Sequence, residues 1–149
     1  MTKISVKKIK DIHSKILAEH GGIEGLREEN LLVSAAEAPY KGFGDEDFYP
    51  STVAKGARLA FGLINNHPFA DGNKRTAMQA MVQFLSANGV EIEYKQKQLV
   101  NLAEGIATKE IQYEDVHIWL EEHKSNKLQQ LKLFEDYEID CPEDQVTNS

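Results

Sequence analysis

A polar loop runs directly into a long apolar segment in the stretch His67-Pro68-Phe69-Ala70-Asp71-Gly72-Asn73-Lys74-Arg75-Thr76-Ala77-Met78-Gln79-Ala80-Met81-Val82-Gln83-Phe84-Leu85. The apolar part predicts a helix over about residues 73–88. Because apolar side chains surround most sides of this helix, we expect it to be buried at the centre of the fold. Gly89 follows in the C′ position, where glycine commonly ends a helix.

Apolar residues at helical spacing predict five further helices around this one. Ser5 is a candidate N-cap for the first, and Ser51 for the helix that leads into the polar loop. The others lie near residues 27–38, 99–106 and 115–120. Val90–Tyr94 alternates apolar and acidic residues and predicts at most a minor strand. The sequence therefore predicts an all-α fold with a single compact helical domain over residues 1–124.

The C-terminal residues 125–149 are predicted to form a helical extension followed by an acidic, disordered tail. Most of the net charge of −7 belongs to this tail, because no basic residue follows Lys132. The domain itself is close to neutral and shows no basic stripe, so we expect no DNA or RNA partner. Cys141 is the only cysteine. With no signal-peptide pattern and no apolar run long enough for a membrane span, the sequence favours a cytoplasmic protein.

The start of the central helix combines features that suit a bound anion. The first backbone N–H groups of a helix lack partners and carry the positive end of its dipole, which favours phosphate. Gly72 allows a ligand to approach the backbone closely. Lys74 and Arg75 lie in the first turn, where the dipole disfavours cations, so their presence there indicates an anion between them.

Two residues of the loop can supply chemistry beside this anion site. Histidine ordinarily titrates near neutral pH, so His67 is a candidate general base. Asp71 offers an oxygen ligand for Mg²⁺, although it could also simply cap the helix. His67 could be an ordinary exposed residue and Asn73 a polar first-turn residue, whereas Phe69 is predicted simply to anchor the loop in the core. The convergence of these groups within nine residues favours the functional interpretation.

Two other features allow alternatives. His13 falls on the apolar face of the first helix, where a core role is more common than ligand binding. Residues 40–50 combine glycines, acids and aromatics. They predict either a flap-like exposed loop or a linker whose aromatic side chains pack back onto the core.

The stretch His67–Ala77 resembles the signature of the Fic/Doc family, in its death-on-curing branch. The block Gly21–Glu28 is similar to the N-terminal part of the same branch, and the resemblance extends over about residues 4–122. It implies that His67 deprotonates a target hydroxyl and that Asp71 holds Mg²⁺. It also implies a set of residues that bind the phosphates of ATP, namely Gly72, Asn73, Lys74 and Arg75.

Lys74 occupies a position where relatives that transfer AMP usually have glycine, whereas Doc-like relatives have lysine and transfer a phosphoryl group. The resemblance thus implies a toxin that uses Mg-ATP to phosphorylate a Ser or Thr of a translation component, with elongation factor Tu as the expected target. A small antitoxin is the expected neutralising partner. AMP transfer remains an alternative, because Pro68 and Gly72 are residues typical of the wider family. A catalytically idle partner-binding module is the alternative from another functional class.

Overall fold

The computed structural model describes residues 1–125 of the 149-residue chain. This part is mostly helical, and its helices are α1 (Val6–His20), α2 (Glu29–Glu37), α3 (Thr52–Asn66), α4 (Asn73–Ala87), α5 (Gln96–Ala107) and α6 (Tyr113–His123). The predicted all-α fold with about six helices is therefore confirmed. The extension and acidic tail predicted after residue 124, with Cys141, lie outside the described residues from 126 onward. The division of the chain at that point stays a prediction.

The predicted helix starts follow from local capping. The Ser5 side chain accepts a hydrogen bond from the backbone N–H of Lys8 at 3.0 Å, and the Ser51 side chain accepts one from Ala54 at the same distance. Each bond satisfies an N–H that the first turn of the helix leaves open. Gly89 follows the end of α4 with φ +83°, as a C′ glycine does.

The centre of the domain is a pair of helices rather than α4 alone. α4 packs on α1, α3 and α5, and α3 packs on α2, α5 and α6 as well. Both central helices carry small side chains that are completely buried, namely Ala57 and Ala60 on α3, and Ala77 and Ala80 on α4. Small residues let the helix axes approach closely, so that neighbouring leucines and methionines are removed from water. The first turn of α4 is consequently fixed by the core.

The described residues include one short hairpin, and residues 90–94 stay within the prediction of at most a minor strand. Residues 90–94 form only a single bridge, between Ile92 and Lys124, because the partner segment begins where α6 ends. The hairpin consists of β1 (Gly42–Phe43) and β2 (Glu46–Asp47), joined by a two-residue turn at Gly44 and Asp45. Gly44 has φ +61°, a conformation that glycine adopts readily and that tight hairpin turns need.

The aromatic side chains of residues 40–50 divide between the two predicted arrangements. Tyr40 packs against the core and is the last residue of a 3₁₀ turn (Ala38–Tyr40) that extends α2. Phe43 is 83% exposed and Phe48 is 61% exposed. Lys55 is buried on α3 and holds the base of the hairpin. Its ammonium group donates to the Asp47 carboxylate at 3.2 Å and to the Tyr49 backbone carbonyl. The hairpin is thus an exposed flap with a fixed base.

Gly56 and Gly62 of α3 provide a test of the close packing at the centre. A Cβ at Gly56 would lie 2.7 Å from the buried Leu85 side chain, whereas a Cβ at Gly62 would meet the flexible end of Arg58 at 3.0 Å. Alanine gains up to about 1 kcal/mol of helix propensity at either site. Overpacking costs about 1–3 kcal/mol, and we expect that cost only for Gly56→Ala. Urea denaturation should therefore show Gly62→Ala to be the more stable variant, and equal midpoints would contradict this packing.

Candidate active site

His67 lies at the turn between the two central helices, at the end of α3. Its backbone adopts the left-handed conformation, with φ 50° and ψ 56°. This conformation costs a non-glycine residue about 1–3 kcal/mol and persists where surrounding contacts stabilise it. One such contact is the Arg27 guanidinium, which donates a hydrogen bond to the His67 carbonyl at 2.6 Å. The turn leaves the His67 side chain exposed.

The loop before α2 supports the loop that follows His67. The two loops pair as short antiparallel segments, with the Arg27 N–H donating to the Pro68 carbonyl at 2.7 Å and the Ala70 N–H donating to the Gly25 carbonyl at 2.9 Å. A bridge between Leu26 and Phe69 lies between these bonds. Arg27 was not predicted from the sequence to take part in the site. Only its place in the block Gly21–Glu28, which resembles the family, pointed to such a role.

The Asn73 side chain is buried and fixes the conformation of the loop. Its Oδ1 accepts the Phe69 N–H at 2.9 Å, and its Nδ2 donates to the Phe69 carbonyl at 2.8 Å. The same Nδ2 lies 3.2 Å from His67 Nδ1. The Phe69 side chain is 3% exposed, as expected for an anchor in the core. The sequence predicted that Asn73 binds nucleotide, and that contact stays a prediction beside these internal bonds.

The Asn73 contact has a consequence for the proton on His67. The Phe69 backbone fixes the orientation of the Asn73 amide, so that its nitrogen, which can only donate, faces His67 Nδ1. In a neutral His67 ring, Nδ1 must then carry the lone pair, and the proton lies on Nε2. The structure therefore favours one tautomer of the candidate base.

Asp71 does not cap α4, contrary to one of the two roles considered for it. The N-cap is Gly72, whose backbone is left-handed with φ 79°. The Asp71 carboxylate lies one residue too early to reach the first turn, and instead accepts the N–H of Gly72 at 2.9 Å and that of Ile23 at 3.2 Å. Among the described residues, none places a side-chain cap on α4. Its first-turn N–H groups thus remain available to a ligand.

The two cations of the first turn have different surroundings. Lys74 forms an ion pair with Glu104 of α5 at 2.7 Å, and both side chains are about half exposed. Arg75 is exposed and has no ion pair within residues 1–125. Glu104 was not recognised in the sequence, because thirty residues separate it from its partner. The structure thus leaves Arg75 as the cation that can bind an anion without losing another partner.

Asp71 is also the carboxylate available for a metal ion at this helix start. Within residues 1–125 no group of three or more His, Cys, Asp or Glu side chains could enclose a metal. The Asp71 carboxylate is thus a single donor group, and a metal ion held there would need its further ligands from outside the described residues.

A model of the Fic/DOC family matches residues 3–85 of the chain. The chain belongs to the Fic/DOC family. The match includes α1, the loop before α2, and the whole segment from His67 to Arg75, whereas Glu104 lies outside it. No helix in the described part of this Fic/DOC chain is long and apolar enough to cross a membrane.

Two curated relatives are similar to this Fic/DOC chain. The protein named Toxin Doc from Mycolicibacterium smegmatis (strain ATCC 700084 / mc(2)155) is 40% identical over 72 residues, which are 48% of this chain and 55% of that protein. The chain thus spans about half the length of this relative. The protein named Protein kinase doc from Escherichia phage P1 is 27% identical over 119 residues, which are 78% of this chain and 90% of that protein.

Gly22 and Gly21 allow the position of Asp71 to be tested. A Cβ at Gly22 would lie 2.8 Å from Asp71 Oδ2, whereas a Cβ at Gly21 would meet nothing within 4 Å. Both glycines have positive φ, so alanine is strained at either position. We expect only Gly22→Ala to displace the carboxylate. Amide hydrogen exchange at Ile23 and Gly72 should then accelerate more in Gly22→Ala than in Gly21→Ala, and equal acceleration would contradict the contact.

Proposed function

We propose that this chain is the toxin of a toxin–antitoxin pair and transfers the γ-phosphate of Mg-ATP to a Ser or Thr hydroxyl of a protein. The observation that carries the proposal is that the exposed His67 ring and the uncapped start of α4 lie within one loop, joined by the Asn73 side chain. The names of the two relatives support both parts, since one is called a toxin and the other a protein kinase.

The start of α4 supplies the groups that phosphates need. The N–H groups of its first three residues lie before the first intrahelical bond, which Thr76 donates to the Gly72 carbonyl. Arg75 can add a forked pair of hydrogen bonds. Asp71 would hold Mg²⁺, because each of its oxygens accepts one N–H and keeps a lone pair for a ligand. The bound ion would neutralise charge on the phosphates during transfer.

His67 would remove the proton of the target hydroxyl through its outward nitrogen. In the tautomer that Asn73 favours, the proton is on Nε2, the nitrogen that would act as base. The ring must therefore lose this proton and gain one on Nδ1 before Nε2 can accept the proton of the hydroxyl. That change converts the contact with Asn73 into two facing donors. At 3.2 Å the contact is at the long end of the hydrogen-bond range, which makes it one of the weaker bonds in the loop. The base would therefore become competent when bound substrate favours the other tautomer.

Lys74 favours phosphoryl transfer over AMP transfer. Its side chain occupies the edge of the helix start and extends toward Glu104 on α5. With glycine here, the β- and γ-phosphates could enter deeply and leave the α-phosphorus facing the hydroxyl. The lysine fills part of this space, so we expect the nucleotide to bind with the γ-phosphorus nearest His67. AMP transfer is the second candidate, because it requires the same base and helix start.

The expected partners follow from the family resemblance and the relatives' names. A translation component, with elongation factor Tu as first choice, is the expected substrate, and a cognate antitoxin is the expected neutralising protein. A catalytically idle binding module would not need a base, a carboxylate and an open helix start within one loop. The presence of all three in one loop supports an active enzyme.

Transfer of label from ATP tests the reaction. Incubation of the chain with a cell lysate should move label from the γ-phosphate, and none from the α-phosphate, onto a protein. His67→Ala should reduce the transfer by roughly 10²-fold or more, because general-base catalysis contributes at least that much. Thermal denaturation and ATP titration should show that this variant still folds and binds nucleotide.

Three outcomes would change the proposal. Transfer of α-label would replace phosphorylation by AMP transfer and would show that Lys74 does not set the orientation. Transfer from neither position would favour the idle module. Full activity of His67→Ala would remove the assignment of the base, whichever phosphate is transferred.

The exposed flap provides a second prediction, concerning the protein substrate. Phe43 and Phe48 present apolar surface on the hairpin, whose base is fixed to α3. An exposed strand can pair with an extended segment of a target.

Changing both phenylalanines to serine should lower transfer to the protein substrate more than it lowers ATP affinity. Ile118→Ser, which removes a 56% exposed side chain from α6, is the matched control and should leave transfer unchanged. An equal loss of transfer and ATP affinity would argue against substrate binding by the flap.

A further inference from the structure

A buried histidine of α1, outside the segment from His67 to Arg75, contacts the backbone of the candidate site. His13 of α1 is 6% exposed, and its ring stacks on Phe69 with centroids 3.7 Å apart and planes 8° from parallel. Its Nε2 lies 2.8 Å from the backbone carbonyl oxygen of Asp71. A carbonyl can only accept, so His13 Nε2 carries the proton and donates it. The core position predicted for His13 is confirmed, but packing alone does not require this hydrogen bond.

We infer that His13 is a positioning residue for the corner formed by Asp71 and Gly72. The bonded carbonyl belongs to the peptide that joins the candidate metal ligand to the N-cap of α4. Holding this carbonyl inward fixes the rotation of that peptide. The rotation determines where the Asp71 side chain leaves the backbone and where the first N–H groups of α4 point. The inference rests on the proposed function for its effect on ATP, but the geometry of the corner can be measured separately.

The surroundings of the ring explain why an apolar residue of similar size would not serve. A Cβ at Gly72 would lie 3.5 Å from both the His13 ring and the Leu17 side chain, so the corner rests directly on α1. Within this contact His13 supplies the hydrogen-bond donor, and Leu17 supplies apolar surface. Without a donor at this position the Asp71 carbonyl would lose its hydrogen-bond partner in the protein, and the peptide would be released to rotate toward water. His13 thereby transmits the fixed position of α1 to the site.

Two substitutions separate positioning from packing. His13→Gln places an amide donor near the position of Nε2, whereas His13→Leu keeps an apolar side chain without a donor. We expect the affinity for Mg-ATP, measured by calorimetry, to fall about tenfold in His13→Leu and to stay within about threefold of the native value in His13→Gln. Affinity measured without Mg²⁺ should fall less in His13→Leu, because the Asp71 contact is then absent. Amide exchange of Gly72 should accelerate in His13→Leu and not in His13→Gln.

The opposite results would overturn the inference. Unchanged affinity and unchanged Gly72 exchange in His13→Leu would show that the donor is dispensable. Equal loss in both variants, in step with lowered urea stability, would show that His13 acts through packing. If the native chain binds no ATP, the proposed function fails, and Gly72 exchange alone decides the inference: acceleration confined to His13→Leu supports it, and no difference between the variants contradicts it.

Discussion

The site depends on the pair of hydrogen bonds between the Asn73 side chain and the backbone of Phe69. These bonds join the first residue of α4 to the loop before it, with both the backbone N–H and the backbone carbonyl of Phe69 satisfied. The Phe69 ring fills the core, so the loop cannot move without opening the domain. The fixed loop in turn sets the positions of the His67 ring, of the corner at Asp71 and Gly72, and of the uncapped start of α4. A catalytic group can be exposed and still be held accurately in this way.

The parts of the fold that the sequence predicted are those specified by neighbouring residues. Ser5 and Ser51 cap their helices through bonds that span three residues, and the apolar run of α4 is continuous in sequence. The hairpin was not predicted as paired strands, because its two strands have only two residues each and lack apolar alternation. For the site, the residue types indicated the chemistry, while the supporting contacts from Arg27 and His13 join residues 40 to 58 positions apart. Spacing alone cannot reveal such contacts.

Three separate segments meet at the site, and this links its geometry to the stability of the whole domain. α1 contributes His13, the following loop contributes the amide of Ile23, and α4 contributes its open end. The helices α1 and α4 are fixed by the apolar core, whereas the loop that carries Ile23 is held by its pairing with the loop after His67. Partial unfolding of α1 would therefore disturb the Asp71 corner before the central pair of helices separates.

The left-handed backbone of His67 limits which residues can replace this histidine during evolution. Under the proposed function, the position must satisfy two unrelated demands, an imidazole for proton transfer and a conformation that most residues resist. A duplicated copy that no longer needs catalysis would be released from the first demand only. Glycine, asparagine and aspartate tolerate the left-handed region best, so they are the replacements that drift should fix there first. Inactive descendants should thus be recognisable by which residue replaces the histidine, while the rest of the loop stays intact.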